Sequence, residues 1–153
     1  MSQLSVNYGS VQTPTFTAAL NALAAGNYAT SSAIDNTSVK PIDLLVTLNI
    51  MTGASVGGNK QISIFAVCSP DGTNFDTANA SATDNSRDGM IKLIDTIPTP
   101  NAGEALQRSF NISQAFNGIL PPAIKLIVKN DSGAALANSG NALTYKNVLL
   151  NNT

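Results

Sequence analysis

The sequence contains no histidine and no tryptophan, and Cys68 is the only cysteine among its 153 residues. Without histidine, the Ser-His-Asp and Cys-His catalytic arrangements, the commonest general base and His-containing zinc sites are excluded. A single cysteine forms no disulfide within the chain, and its position at the end of an apolar run predicts a small buried side chain. Carboxylate chemistry remains, but most Asp residues lie in turn-like contexts, where Asp caps the backbone. We therefore expect neither enzyme activity nor a cofactor.

Charge is also scarce, because Asp, Glu, Lys and Arg together make up 11% of the chain and the net charge is −1. The eight basic residues are scattered, whereas a nucleic-acid partner requires clustered Lys and Arg. No apolar run approaches the length of a membrane span. The N-terminal MSQLSVNYGS has neither the basic nor the apolar region of a signal peptide. We expect no nucleic-acid partner, no membrane partner and no signal peptide.

Asn, Ser, Thr, Ala and Gly take the place of the missing charges. This composition disfavours helices, since Asn, Ser and Thr compete for backbone hydrogen bonds, and it suits strands joined by many turns.

The length predicts one domain that is large enough to bury a core. Residues 1–14 show no helical periodicity and end at Pro14, which predicts an extended N-terminal arm. Residues 15–153 then form the single domain.

Alternation of apolar and polar residues marks the strands of this domain. In IDLLVTLNI, residues 42–50, every even-numbered residue from Ile42 to Ile50 is apolar and faces one way. In QISIFAVC, residues 61–68, both faces are apolar, which predicts a strand covered on both sides or one that meets a partner. Further strands are predicted at 89–97, 105–113, 123–130 and 143–150. About eight short strands separated by turns predict a β-sandwich or a barrel. The predicted core consists of Leu44, Val46, Leu48, Ile62, Ile64, Phe110, Leu126 and Val128.

Two features of this pattern are less regular. Arg108 falls on the core face of its strand, which indicates a position near a strand end or in an interface. In the segment TFTAALNALAAGNYATSSAI, residues 15–34, the spacing of Phe16, Leu20 and Leu23 fits one face of a short helix. A hairpin that turns at residues 25–27, Ala-Gly-Asn, fits the same segment, and we favour it because Gly-Asn is a turn dipeptide.

Residues 84–95, DNSRDGMIKLID, match the spacing of an EF-hand calcium loop. The ligand positions hold Asp84, Ser86, Asp88 and Asp95, although the last position normally holds the longer Glu. The segment that precedes the loop lacks an apolar stripe, and Pro98 would end an exiting helix almost at once. We therefore predict no metal site here and interpret residues 90–97 as a strand. An ion held by Asp84 and Asp88 in a plain loop is the remaining form of the calcium hypothesis.

Three stretches carry a resemblance to a known group of proteins: LNALAAGNYATSSAIDNT (20–37), ISIFAVCSPDGTNFDT (62–77) and AFNGILPPAIKLIVKNDSGAAL (115–136). In their order and residue patterns they resemble small virion proteins of tailed bacteriophages. These are capsid decoration or cement proteins with a β-sandwich, often jelly-roll, fold. The matching turns are Ser32–Asn36 and Ser69–Phe75, with Leu120–Asn130 as a turn and the strand that follows it.

The resemblance implies an all-β, jelly-roll-like sandwich that is a structural protein of the virion. Its partners would be the major capsid protein and further copies of itself, as a dimer or trimer, and its location would be the capsid surface. A neck, tail or fibre-base component is an alternative. A carbohydrate-binding or adhesion module is another, with Tyr8, Tyr28, Phe75 and Tyr145 as its candidate aromatic platforms.

The N-terminal arm supplies the predicted partner contacts, Leu4, Val6, Tyr8 and Val11. The spacing of Leu4, Val6 and Tyr8 suits a strand that adds to the exposed sheet edge of a neighbour. A frayed terminus is the alternative on general grounds. The resemblance favours attachment, because a coat protein gains from many simultaneous contacts.

Overall fold

The computed structural model describes residues 3–75 and 91–152. This part of the chain contains a 3-10 helix, Ser113–Phe116, and nine strands. The strands are β1 Leu4–Tyr8, β2 Tyr28–Thr30, β3 Ile34–Asp35, β4 Asp43–Met51, β5 Gln61–Ser69, β6 Lys92–Pro98, β7 Ala105–Asn111, β8 Ala123–Asp131 and β9 Ala142–Asn152. The predicted all-β class is confirmed.

The strands form two antiparallel sheets. The first sheet has the order β1-β9-β4-β7, and the second has the order β2-β8-β5-β6, with β3 also paired to β8. The central strands β4 and β5 follow each other along the chain but lie in different sheets. One apolar face of each sheet is buried against the other, so the architecture is a β-sandwich.

The predicted core lies between these sheets. Seven of its eight members are fully buried: Leu44, Val46, Leu48, Ile62, Ile64, Leu126 and Val128. Phe110 packs against this cluster but is only partly buried, because β7 is an edge strand. Ile42 was predicted on the same face, yet it is 44% exposed. It lies one residue before β4, which begins at Asp43.

The outer face of the second sheet is covered as well, which confirms the prediction for residues 61–68. Phe65 and Val67 of β5 belong to a second apolar cluster with Tyr28, Ile91 and Ile127. Because β5 and β8 contribute apolar side chains to both faces, the second sheet is the more deeply buried of the two. Cys68 at the end of β5 is half-buried rather than fully buried.

Residues 15–34 form neither the helix nor the regular hairpin considered from the sequence. Gly26 does turn the chain with a φ of 78°, and the N–H of Thr17 donates to the carbonyl of Thr30 at 2.8 Å. However, Phe16 and Ser31 form only an isolated bridge, and the ladder partner of β2 is β8. The hairpin prediction was therefore wrong in its pairing, because Tyr28–Thr30 gains a buried site by joining the central strand β8.

The predicted N-terminal arm is extended, but it does not project from the domain. Leu4–Tyr8 forms β1, which pairs antiparallel with β9 of the same chain from Leu4 opposite Asn152 to Tyr8 opposite Val148. An isolated bridge between Gln12 and Tyr145 continues the contact. The predicted boundary at residue 14 thus does not separate an arm from the sandwich, since this segment supplies an edge strand of the first sheet.

Candidate interaction surfaces

Apolar side chains lie exposed along β1 and β9. Leu4 is 70% exposed, Val6 and Tyr8 are each 57% exposed, and Leu150 is 49% exposed. Residues directly opposite each other in a ladder point to the same face, so Val6 and Leu150 are neighbours on the outer face of the first sheet. We call Leu4, Val6, Tyr8 and Leu150 the β1 surface. The structure therefore brings together three of the four predicted contact residues.

Val11, the fourth predicted contact residue, is also exposed but lies beyond the end of β1. Leu150 was missing from the sequence-based set. The sequence carried no clear signal for it, because residues 148–150 are all apolar and Val148, which has the same parity as Leu150, is buried. The pairing of β9 with β1 was the information that the sequence did not supply.

A second surface is the cleft between the edge strands β6 and β7, which has a volume of about 630 Å³. Arg108 lies in the middle of β7, opposite Leu48, so the strand-end alternative is wrong, and the interface alternative stays a prediction. Its Nε donates to Oδ2 of Asp95 on β6 at 2.7 Å. The ion pair joins the two sheets on the side of the sandwich where β6 and β7 are the edge strands. Arg108 is on the inward-facing side of β7, and its exposed position at the edge is what allows a charged residue there.

The environment of Asp95 acts on its pKa in two directions. Burial raises the pKa, whereas the hydrogen bond from Arg108, the backbone N–H of Thr96 and the Arg108 charge lower it, and the net result is a lowered pKa. The same pair raises the pKa of Arg108, first through the hydrogen bond to Asp95 and then through its charge. Both groups are therefore held in their charged forms at neutral pH.

The position of Asp95 bears on the calcium hypothesis. Asp95 lies opposite Ile64 within a strand, where an EF-hand would have the start of its exiting helix. Its carboxylate accepts from Arg108 instead. Asp84, Ser86 and Asp88 lie outside the described residues. Within residues 3–75 and 91–152, no group of three or more His, Cys, Asp or Glu side chains is placed to hold a metal ion.

The Asp71 carboxylate organises the turn that follows β5. Its Oδ1 accepts from the backbone N–H groups of Thr73 and Asn74 at 2.9 and 2.7 Å and from the Ser69 hydroxyl at 2.8 Å. Its Oδ2 accepts from the Asn74 side chain at 2.6 Å. The hydrogen bonds from Asn74, Thr73 and Ser69 hold the pKa of Asp71 far below its usual range. This carboxylate has a turn-forming role, as the sequence context predicted.

The Asp35 carboxylate organises the turn that follows β3. Its Oδ1 accepts from the N–H and hydroxyl of Thr37, and its Oδ2 accepts from the Ser38 hydroxyl at 2.8 Å. The bonds from Thr37, followed by that from Ser38, lower its pKa. Asp35 and Asp71 both lie in the stretches that carry the resemblance to phage proteins. Two of the three stretches thus contain a turn that an Asp side chain organises.

The aromatic residues proposed as sugar platforms have different environments. Tyr28 is buried as a member of the second apolar cluster, and the Tyr145 hydroxyl donates to Oε1 of Gln12 at 2.8 Å. Burial raises the pKa of Tyr145. The Lys125 ammonium lies 4.3 Å from the centre of the Phe75 ring. Tyr8 alone among these four presents most of its surface to solvent, so the four residues do not form a shared platform.

No helix in the part of the chain that the structure describes is long and apolar enough to cross a membrane. Comparison with models of known protein families finds no match, and comparison with curated proteins also finds none.

Proposed function

We propose that this chain is a structural protein of a bacteriophage virion that decorates the outer capsid surface by binding the major capsid protein. In this role it has no catalytic activity and acts through broad surfaces rather than through a pocket. Two lines of reasoning support the proposal: the order in which the strands pair, and the sequence stretches that resemble phage decoration proteins.

The strand pairing is the observation that carries the proposal. β2 and β3 pair with different parts of β8, so they count as one interrupted strand and reduce the nine described strands to eight. The first then pairs with the last, the second with the next to last, and so on inward: β1 with β9, β2 and β3 with β8, β4 with β7, and β5 with β6.

This nested pairing is that of one long hairpin. Rolling the hairpin up adds the contacts β9–β4 and β8–β5, which complete both sheets. A rolled hairpin of eight strands in two sheets is a jelly roll, an architecture that occurs in viral capsid proteins and in lectins. We therefore propose that this β-sandwich is a jelly roll. Of the two roles, we prefer the virion protein to the lectin because of the resemblance to phage decoration proteins.

Rebinding to particles tests the function. Heads from a phage that lacks this chain should bind the purified protein saturably and sediment with it, because decoration proteins occupy a fixed number of equivalent sites. Heads that already carry the chain serve as the matched control and should bind none. Binding to isolated tails and not to heads would overturn decoration in favour of a tail component.

The carbohydrate alternative predicts a different result in the same assay. An adhesion module would bind host cell envelopes or immobilised glycans, and added sugar would compete with that binding. Saturable binding to glycans without binding to heads would reject the virion role. Binding to heads that added sugars do not reduce is the outcome we expect.

A further inference from the structure

The two sheets have four edges, and three of them carry features that oppose pairing with another strand. Natural proteins protect exposed edges with charged residues, bulges, proline or very short strands. β6 contains Lys92 and Asp95, has a register irregularity and ends at Pro98. β7 contains the exposed Arg108. The third protected edge is built from β2 and β3, which are only three and two residues long.

The edge formed by β1 has none of these features. Its sequence, LSVNY, is uncharged and contains no proline, and it pairs with β9 in an unbroken register over all five residues. It also places the apolar β1 surface beside the open edge. A regular, uncharged edge strand with apolar side chains is a template for addition of a further strand.

The hydrogen bonds identify which backbone groups of β1 point outward. The N–H of Gly9 donates to the carbonyl of Asn147 at 2.8 Å. Because bonding alternates along an antiparallel strand, Ser5 and Asn7 also direct their N–H and C=O groups toward β9. The N–H and C=O groups of Leu4, Val6 and Tyr8 therefore point away from the sheet, to the open edge.

From these observations we propose that β1 pairs antiparallel with β1 of a second copy of this chain, across a twofold axis at Val6. In this register Val6 lies opposite Val6 of the other copy, and Leu4 lies opposite its Tyr8. Each of these pairs joins residues whose backbone groups are both free and outward-pointing. The three pairs form six N–H···O=C bonds, two per pair, as the antiparallel pattern requires.

The side chains agree with the same register. Leu4, Val6 and Tyr8 lie on one face, so the pairing creates apolar cross-strand contacts, including one aromatic–aliphatic contact on each side of the axis. Ser5 and Asn7 meet each other on the opposite face. No charges are brought together, since residues 3–14 contain none. Self-complementary surfaces of this kind produce closed twofold dimers. The proposal stands on the edge geometry and does not depend on the virion role.

The test compares the solution mass of the full chain with that of two variants. Val6→Lys places two ammonium groups opposite each other at the proposed axis. Gln107→Lys is the matched control: it places the same charge on an exposed, outer-face position of the other edge of the first sheet, β7. Light scattering after gel filtration should give twice 15.8 kDa for the parent and for Gln107→Lys. Val6→Lys should have a dissociation constant raised on the order of 100-fold, because like charges face each other.

Amide hydrogen exchange provides a second readout that does not depend on a variant. In the dimer, the amides of Leu4, Val6 and Tyr8 should be protected, and dilution to monomer should release them while Ser5 and Asn7 stay protected by β9. A parent protein that is monomeric at high concentration would overturn the proposal. The proposal would also be overturned if both variants stayed dimeric or if both became monomeric. A dimer in which the outward-pointing amides of Leu4, Val6 and Tyr8 remain unprotected would overturn it as well.

Discussion

At the scale of single residues, the buried side chain of Asn130 connects segments that are far apart along the chain. Asn130 is fully buried. Its Nδ2 donates to the carbonyls of Leu23 and Ala134 at 2.7 and 2.8 Å, and its Oδ1 accepts from the Ser132 N–H at 3.0 Å. Because a buried amide costs free energy unless it is paired, this residue fixes the end of β8 relative to the segment that precedes β2.

The aliphatic core should dominate the stability. Leu48 is fully buried between the sheets, so we expect Leu48→Ala to lower the free energy of unfolding by about 2–5 kcal/mol, the lost transfer energy plus the cavity term. Leu93→Ala is the control, because Leu93 is exposed on β6 and should change stability by less than about 0.5 kcal/mol. Urea denaturation measures both. Equal costs would mean that the core is assigned to the wrong face.

Asp71 makes the stability depend on pH. Its folded-state pKa lies below the ordinary value of 3.8. A lowered pKa contributes stability above the unfolded value, and that contribution is lost as the pH falls below about 3.8 toward the folded value. Asp71→Asn should therefore show a smaller fall in melting temperature than the parent as the pH is lowered through this range.

Asn74→Ala is the companion variant for that measurement. It removes one donor to the Asp71 carboxylate and keeps the titrating group, so its pH dependence should lie between those of the parent and Asp71→Asn. Melting curves recorded by circular dichroism across the acid range give all three profiles. Parallel profiles would show that the turn is not the source of the acid sensitivity.

At the scale of elements, the long strands were predictable because one or both of their faces are buried. The alternation in residues 42–50 and 123–130 located β4 and β8 to within a residue or two. Residues 15–34 were not predictable, because Leu20 and Leu23 enter the core from a segment that has no regular period. The two-residue strand β3 and the three-residue strand β2 depend on β8 for their pairing, and no local pattern encodes that.

The loops at one end of the sandwich pack closely enough to require glycine. Gly133 has a φ of 87°, and a Cβ there would overlap the backbone of Gly57. Gly26 has a φ of 78° with open space around it. We expect Gly26→Ala to cost about 1–2 kcal/mol for the left-handed conformation alone. Gly133→Ala should cost about 1–3 kcal/mol more because of the overlap. Denaturation curves measure the difference, and equal costs would contradict the close approach.

At the scale of the whole molecule, the sequence could predict two faces for each long strand but not which strands are neighbours. Arg108 and Asp95 are thirteen residues apart along the chain. They meet because β6 and β7 are edge strands, one in each sheet, that border the same cleft. The N-terminal segment presented the same difficulty. Its alternation predicted a strand that adds to the sheet edge of a neighbour, whereas in the structure it pairs with β9 of the same chain.

The copy number in purified virions tests the central claim most directly. Quantitative mass spectrometry of intact particles, and of heads separated from tails, measures this chain relative to the major capsid protein. A decoration protein should remain with the heads in a fixed stoichiometric ratio to the capsid subunits, because it occupies repeated sites on the shell. Absence from purified particles would contradict the virion role, and a few copies that separate with the tails would contradict decoration.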